Sequence, residues 1–217
     1  TVAKEVAKAP HVTATETVPF AAVDGFEFDS GSTVQTTGAG QVLGLSDHYR
    51  RTFPGQIRDL AGSSSGVLLF QQTAANLQAA PGSTITINRA GMAPATVTID
   101  GIVDVPQADT LFQKVGAPVG AQAQAPPDNV LFLPTATWHK LFDPLAAARP
   151  DLTRTQVHTR LDHQLPRDPS AAYSATTGQA LNLEVKLAGA GLVGDNLGAT
   201  LGSARSDALY AQVLFLF

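Results

Sequence analysis

With 217 residues, 44% apolar and 15% charged side chains, and a formal net charge of −4, the chain is long enough to bury a core without metal or disulfide staples. Its surface relies on Ser, Thr, Gln and Gly, and it lacks the clustered Lys and Arg that broad binding to a nucleic-acid backbone requires, which excludes that class of partner. The absence of cysteine excludes thiol chemistry, cysteine-ligated zinc and disulfides, and leaves the redox compartment open.

One large domain or two small ones fit this length, and two subdomains are expected. Residues 3–9 have helix-forming composition, ended by Pro10, which cannot continue a helix. In 11–20, Val12, Ala14, Val18 and Phe20 share one face and His11, Thr13, Thr15 and Thr17 the other. That period of two predicts a half-buried strand, with Pro19 marking an edge or a bend. Further strands are expected at 23–28 and 33–45, across the turn residues Asp29, Ser30 and Gly31. Residues 46–61 break the alternation and contain Pro54-Gly55, so short helical turns and loop are expected there. An apolar run at 67–70 leads into a helix at 71–79 with Ala74 and Leu77 facing inward. A hairpin follows: Ile85 and Ile87 alternate with Thr84 and Thr86, RAGMAP at 89–94 forms the tip, and Val97, Ile99, Val103 and Val105 share one face of the return strand.

The Gly/Ala/Gln/Pro-rich segment 116–129 reads as a loop with no core of its own. A buried strand at 130–133, a helix at 138–148 interrupted by Pro144, and a strand at 154–162 come next. In that last strand Val157 and Leu161 are expected inward, and Gln156, His158 and Arg160 outward. Asp168-Pro169 predicts a helix N-cap followed by proline in the first turn, with Gly178 ending the helix. The alternation of Leu181, Leu183, Val185 and Leu187 with Asn182, Glu184 and Lys186 predicts another strand, completing a small βαβ unit before a final helix. The last nine residues, LYAQVLFLF, are densely apolar but far short of the roughly 20 that a spanning helix needs. With no initiator Met and no signal-peptide apolar region, the chain reads as processed or cut from something longer. The ending is then either the first part of a membrane span or a buried terminal element.

Two motifs invite enzymatic readings. GSSSG at 62–66 matches the G-x-S-x-G nucleophile elbow with Ser64 in the nucleophile slot, but a loop precedes it and an apolar strand-like run follows, the reverse of the strand-to-helix order that a serine hydrolase needs. Gly189, Gly191 and Gly194 form a G-x-G-x-x-G, and Asp207 lies near the distance expected of a ribose-binding acid. Asp207 does not end a second parallel strand, however, because 195–211 has the apolar spacing of one helix, so the glycines are expected at a strand-to-helix joint. No pair among the five histidines has helical i, i+4 spacing. His158, Asp162 and His163 make a weak ligand cluster, outweighed by a solvent-facing strand edge, so no metal is expected. Trp138 is expected to anchor its helix in the core.

GLSDHYRRTFPG (44–55), GVLLFQQTAANLQAAPGSTITINRAG (66–91), VTIDGIVDVPQADTLFQ (97–113), NVLFLPTATWHKLF (129–142) and VGDNLGATLGSARSDALYAQVLFLF (193–217) together resemble the extracytoplasmic domain of MacB/FtsX-like ABC transporter permeases of actinobacterial type. The resemblance spans nearly the whole chain and carries no catalytic signature. It implies an α+β fold: a porter-like subdomain from both chain ends (1–61 and 151–217) with an inserted Sabre-like subdomain (62–150). It also implies a place between the first two transmembrane helices of a permease, at the cell membrane with this domain on the extracytoplasmic face. The domain would have no enzymatic activity and no cofactor. Its implied partners are a second permease subunit or half, a cytoplasmic ATPase reached through the transmembrane part, and a lipid, lipoprotein or other amphipathic cargo. The lack of a Walker motif, G-x-x-x-x-G-K-[ST], agrees with ATP hydrolysis on a separate subunit. A free-standing extracellular binding or adhesion domain is the alternative. The isolated domain is expected to be monomeric or weakly associating. Contact surfaces are expected at the hairpin tip (Arg89, Met92, Pro94) and the low-complexity loop (Val119, Gln122, Gln124, Pro126), because loops on a rigid scaffold carry recognition.

Overall fold

A computed structural model describes residues 2–112, 126–162, 165–194, 198 and 200–206. The fold is α+β, as expected, and divides into two compact units. One comprises Thr1–Thr15, Asp109–Ala125 and Thr159–Phe217; the other comprises Glu16–Ala108 and Pro126–His158. The division falls within strands β1 (Val12–Val23) and β11 (Thr153–Leu161), so both strands run from one unit into the other.

The larger unit is built on two sheets. Strands β2 (Gly25–Asp29), β3 (Val34–Thr36), β7 (Thr84–Asn88) and β8 (Ala95–Thr98) form a four-stranded sheet in the order β3-β2-β7-β8. Strands β4 (Gly40–Leu45), β5 (Arg58–Gly62), β6 (Leu68–Phe70), β9 (Gly101–Asp104) and β10 (Val130–Pro134) join β1 and β11 in a seven-stranded sheet ordered β11-β1-β4-β10-β6-β9-β5. β10 reads as a continuous apolar run because it is central, parallel to β4 and antiparallel to β6, and covered on both faces. Pro19 lies inside β1, which is an internal strand of the sheet and not an edge; it is tolerated because the register with β4 begins one residue later, at Phe20 opposite Leu43.

Three strand expectations in this unit change. The single strand expected at 33–45 is split between the sheets, β3 pairing with β2 and β4 with β1 and β10. Residues 58–62, expected as loop, are the edge strand β5; all five are exposed, so no buried face imposes alternation. Its register slips between Asp59 and Ala61, a bulge of the kind that keeps open edges from pairing with other chains. The expected single return strand after the hairpin is also split. β8 pairs with β7, whereas β9 crosses to the other sheet beside β6 and β5. The change of sheet falls at Ile99, whose N–H donates to Ser83 O (2.8 Å), and Asp100, whose N–H donates to Val67 O (2.8 Å). Gly101 permits the crossing, since a Cβ there would collide with the Ser63 carbonyl.

Helices α2 (Tyr49–Thr52), α3 (Gln71–Leu77) and α5 (Thr135–Ala148) cover this unit. α3 buries Ala74 and Leu77 as expected. α5 passes through Pro144 uninterrupted, with Trp138, Phe142 and Leu145 buried on one face. The Trp138 indole N–H donates to Val42 O on β4 (3.0 Å), which fixes the helix against the sheet.

In the smaller unit, α1 (Val2–Ala7) packs on α6 (Pro169–Leu187), and the short α4 (Ala108–Leu111) begins at the unit boundary. Asp168 caps α6 as expected, its carboxylate accepting from the Ala171 N–H at 2.8 Å. The helix does not stop at Gly178, and the expected strand at 181–187 is its second half. Good helix formers fill that stretch, and one interior glycine costs only about 1 kcal/mol. Leu181 and Val185 are accordingly solvent-exposed instead of facing a sheet. α6 ends with Ala188 (φ 49°) and Gly189 (φ 82°) in the left-handed region. Residues 200–206 are helical and lie against the start of α6: the Arg205 guanidinium is 5.7 Å from the Tyr173 ring centroid. The tail is therefore strand, helix, turn, helix, and not βαβ. No described helix is long and apolar enough to cross a membrane. Val119, Gln122, Gln124, His163, Asp207 and LYAQVLFLF lie outside the described residues.

Candidate functional site

The smaller unit is organised around two chain segments that run side by side. The incoming leg is α1 followed by the first residues of β1, and the outgoing leg is the end of β11 followed by α6. Pro10 ends the first helical stretch, and His11 takes a left-handed conformation (φ 66°) that turns the chain into the strand. The Asp162 N–H donates to His11 O at 2.8 Å, while the His11 ring places Nδ1 3.0 Å from Asp162 Oδ2. On the strand side of this clasp, Thr13 Oγ1 donates to Arg160 O (3.1 Å). On the helix side, Gln179 Nε2 donates to Pro10 O (2.5 Å), and a side chain at Gly191 would stand 3.6 Å from Val2 Cγ1. The two legs are thus joined from the strands to the far end of α6. Asp162, grouped in the sequence with His158 and His163, partners His11; His163 lies outside the described residues. No group of three or more potential ligands forms among the described residues.

The hairpin tip is pinned from within. Arg89 donates through Nε and Nη2 to Ala93 O (3.1 and 2.5 Å) and through Nη1 to Leu141 O on α5 (2.6 Å). Its guanidinium closes the tip and ties it to the helix. Met92 is half-buried against the core, and Pro94 is exposed. Pro126 is half-buried, and beyond it the chain is held firmly. The Val130 N–H donates to Thr73 Oγ1 (2.8 Å), and Thr73 Oγ1 donates to Asp128 O (3.0 Å). Asn129 Nδ2 reaches Ala39 O (3.2 Å).

A third cluster was not legible in the sequence. His158, expected outward, is folded into a nest of rings, with centroids 6.5 Å from Phe20, 5.7 Å from Tyr49 and 6.2 Å from Phe53. Its Nε2 lies 2.9 Å from Gln156 Oε1, which can only accept, so Nε2 carries the proton and Nδ1 accepts from the Tyr49 hydroxyl at 2.9 Å. Burial lowers the imidazole pKa from 6.5 to about 4, against the opposing pull of Glu16. Burial and Glu16 together push the Tyr49 phenol well above its usual value. Both groups are neutral at neutral pH. Glu16 itself accepts from Ser46 Oγ (2.6 Å) and Thr52 Oγ1 (2.8 Å). The available signal was the i, i+4 pair Tyr49 and Phe53, two rings with no apolar strand pattern of their own to explain them.

Neither enzymatic motif has its required frame. GSSSG joins strand β5 to strand β6, so Ser64 stands at no strand-to-helix elbow. The G-x-G-x-x-G follows a helix where a dinucleotide site needs a strand, and its first glycine serves the C-terminal end of α6.

No protein-family model matches the chain, and no curated protein matches it. Among solved structures it is similar to a crystallised domain described as part of a permease protein from Porphyromonas gingivalis. The TM-score is 0.42 and the identity 14%, over 81% of this chain and 72% of that one.

Proposed function

We propose that this chain is a non-enzymatic extracytoplasmic domain of a MacB/FtsX-like ABC transporter permease, which couples ATP-driven motion of membrane helices to export or extraction of a lipid, lipoprotein or other amphipathic cargo. The observation that carries this reading is the pairing of the incoming and outgoing legs through His11–Asp162, Thr13–Arg160 and Gln179–Pro10. A domain carried on two membrane-spanning helices has to leave and rejoin them by neighbouring segments; the incoming leg and α6 run side by side, and beyond Gly191, which lies beside Val2, the chain turns back so that 200–206 lies against the start of α6. Displacement of one leg against the other would pass along β1 and β11, whose hydrogen-bonded backbones transmit force better than loops do. ATP is hydrolysed in this scheme by a cytoplasmic subunit, and a second permease subunit or half faces this one. The porter-like part corresponds to 1–61 and 151–217, with the Sabre-like part at 62–150 inserted. The hairpin tip and the loop containing Val119, Gln122, Gln124 and Pro126 are the surfaces offered to partner or cargo.

The test uses the natural membrane protein in lipid nanodiscs with its co-purifying ATPase. Spin labels at cysteines substituted for Lys8 and Thr96, one in each unit, report a distance distribution that shifts on ATP addition and returns after hydrolysis. Failure of any ATPase to co-purify, or a distribution indifferent to nucleotide, would sink the reading.

A further inference from the structure

Helix α6 uses only one of its sides. At about 100° per residue, the buried Ala172, Thr176 and Leu187 fall together. The opposite side carries Ala171, Ala175, Gly178, Leu181 and Val185 and faces solvent, with Leu181 60% and Val185 78% exposed. Small residues fill the first half of this stripe and large ones the second, and Gly178 stands between them. A glycine inside a helix lowers stability relative to alanine, yet nothing in the chain calls for this one, since a Cβ there would meet nothing within 4 Å. A side chain missing from the middle of an exposed apolar stripe fits a second backbone approaching from outside.

We propose that α6 pairs with α6 of a second copy of this chain, antiparallel, about a dyad at Gly178. That arrangement sets Leu181 and Val185 of each copy against Ala171, Ser174 and Ala175 of the other, so large meets small along the whole contact. A parallel pair would stack leucine on leucine and valine on valine, hold the glycines apart, and bring Lys186 against Lys186. In the antiparallel pair Lys186, eight residues beyond the dyad, comes within about 3 Å in height of the other copy's Asp168, ten residues before it, along the same edge. Symmetry places one such ion pair at each end of the contact. One face of a 19-residue helix covers less than the roughly 1,200 Å² of a stable complex, so the pairing is weak in the free chain. It goes beyond the permease reading and does not depend on it. Because the dyad stands across α6, copies held in one membrane meet this way with α6 lying along the membrane surface.

The experiment uses the 217-residue chain, which has no cysteine of its own. Gly178→Cys lies on the dyad and should give a disulfide-linked dimer under mild oxidation. Ser174→Cys and Asn182→Cys stand to either side, where like positions are about 12 Å apart along the axis and out of disulfide reach. Each should stay monomeric alone, while the two mixed should give a cross-linked heterodimer. Adding Val185→Glu, at an exposed position, to Gly178→Cys should slow cross-linking roughly tenfold or more, because each copy loses an apolar contact; circular dichroism checks that the chain stays folded. Equal dimerisation of all three single-cysteine variants would mean chance collision or parallel pairing and would overturn the proposal. So would a Gly178→Cys chain that a maleimide labels but oxidation leaves monomeric, or one whose thiol a maleimide cannot reach, since the chain would then cover the face itself.

Discussion

Thr73 offers the sharpest test of how the chain is held after the low-complexity loop. The side chain is fully buried on α3, and its hydroxyl accepts from the Val130 N–H at 2.8 Å and donates to Asp128 O at 3.0 Å. Thr73→Val keeps the shape and removes both bonds, leaving a buried donor at the start of β10 unpaired at a cost of about 1–3 kcal/mol. Thr73→Ser keeps the hydroxyl and loses one methyl, at about 1 kcal/mol. With a urea slope of roughly 2 kcal/mol per molar, the valine variant should unfold about 1 M earlier than wild type, and the serine variant at about half that shift. Urea unfolding followed by Trp138 fluorescence reads both. If the valine variant is as stable as the serine variant, Val130 has another partner and the anchoring argument fails.

Other consequences follow from single contacts. Asp168→Ala should cost about 1 kcal/mol and reduce helical circular dichroism, because it removes the α6 cap; unchanged helicity would deny the cap its role. Because the folded His158 pKa is depressed to about 4, stability should be full above about pH 6.5, where the unfolded histidine is also neutral. It should fall by up to about 3 kcal/mol as the pH drops toward 4 and then level off, as far as this group is concerned. Urea midpoints for wild type and His158→Gln across pH 4–8 check the sign. Deleting residues 117–127 should leave the thermal midpoint nearly unchanged while impairing transport in the natural protein, because Asp128 and Asn129 keep their anchors; a large loss of stability would show that the loop is structural.

The sequence was most informative where one face is buried and the other wet. Ile85 and Ile87 against Thr84 and Thr86, Ala74 with Leu77, and Trp138 with Phe142 all found their places, since burial imposes a period on such segments. It was least informative where packing sets no period. β5 is exposed throughout, and LNLEVKL satisfies a strand by alternation and a helix by composition; α6 prevails because its neighbour is α1 and not a strand. The pairings His11–Asp162 and Tyr49–His158 join residues far apart in the chain, so no local spacing could announce them.

The central claim concerns the side of the membrane on which this domain stands. Because the chain has no cysteine, a single substitution at the exposed Thr96 gives a clean reporter within it. In intact cells carrying the natural protein with Thr96→Cys, a membrane-impermeant maleimide should label that position as fully as it does after lysis. Labelling of Cys-substituted protein only after lysis would place the domain in the cytoplasm and contradict the account.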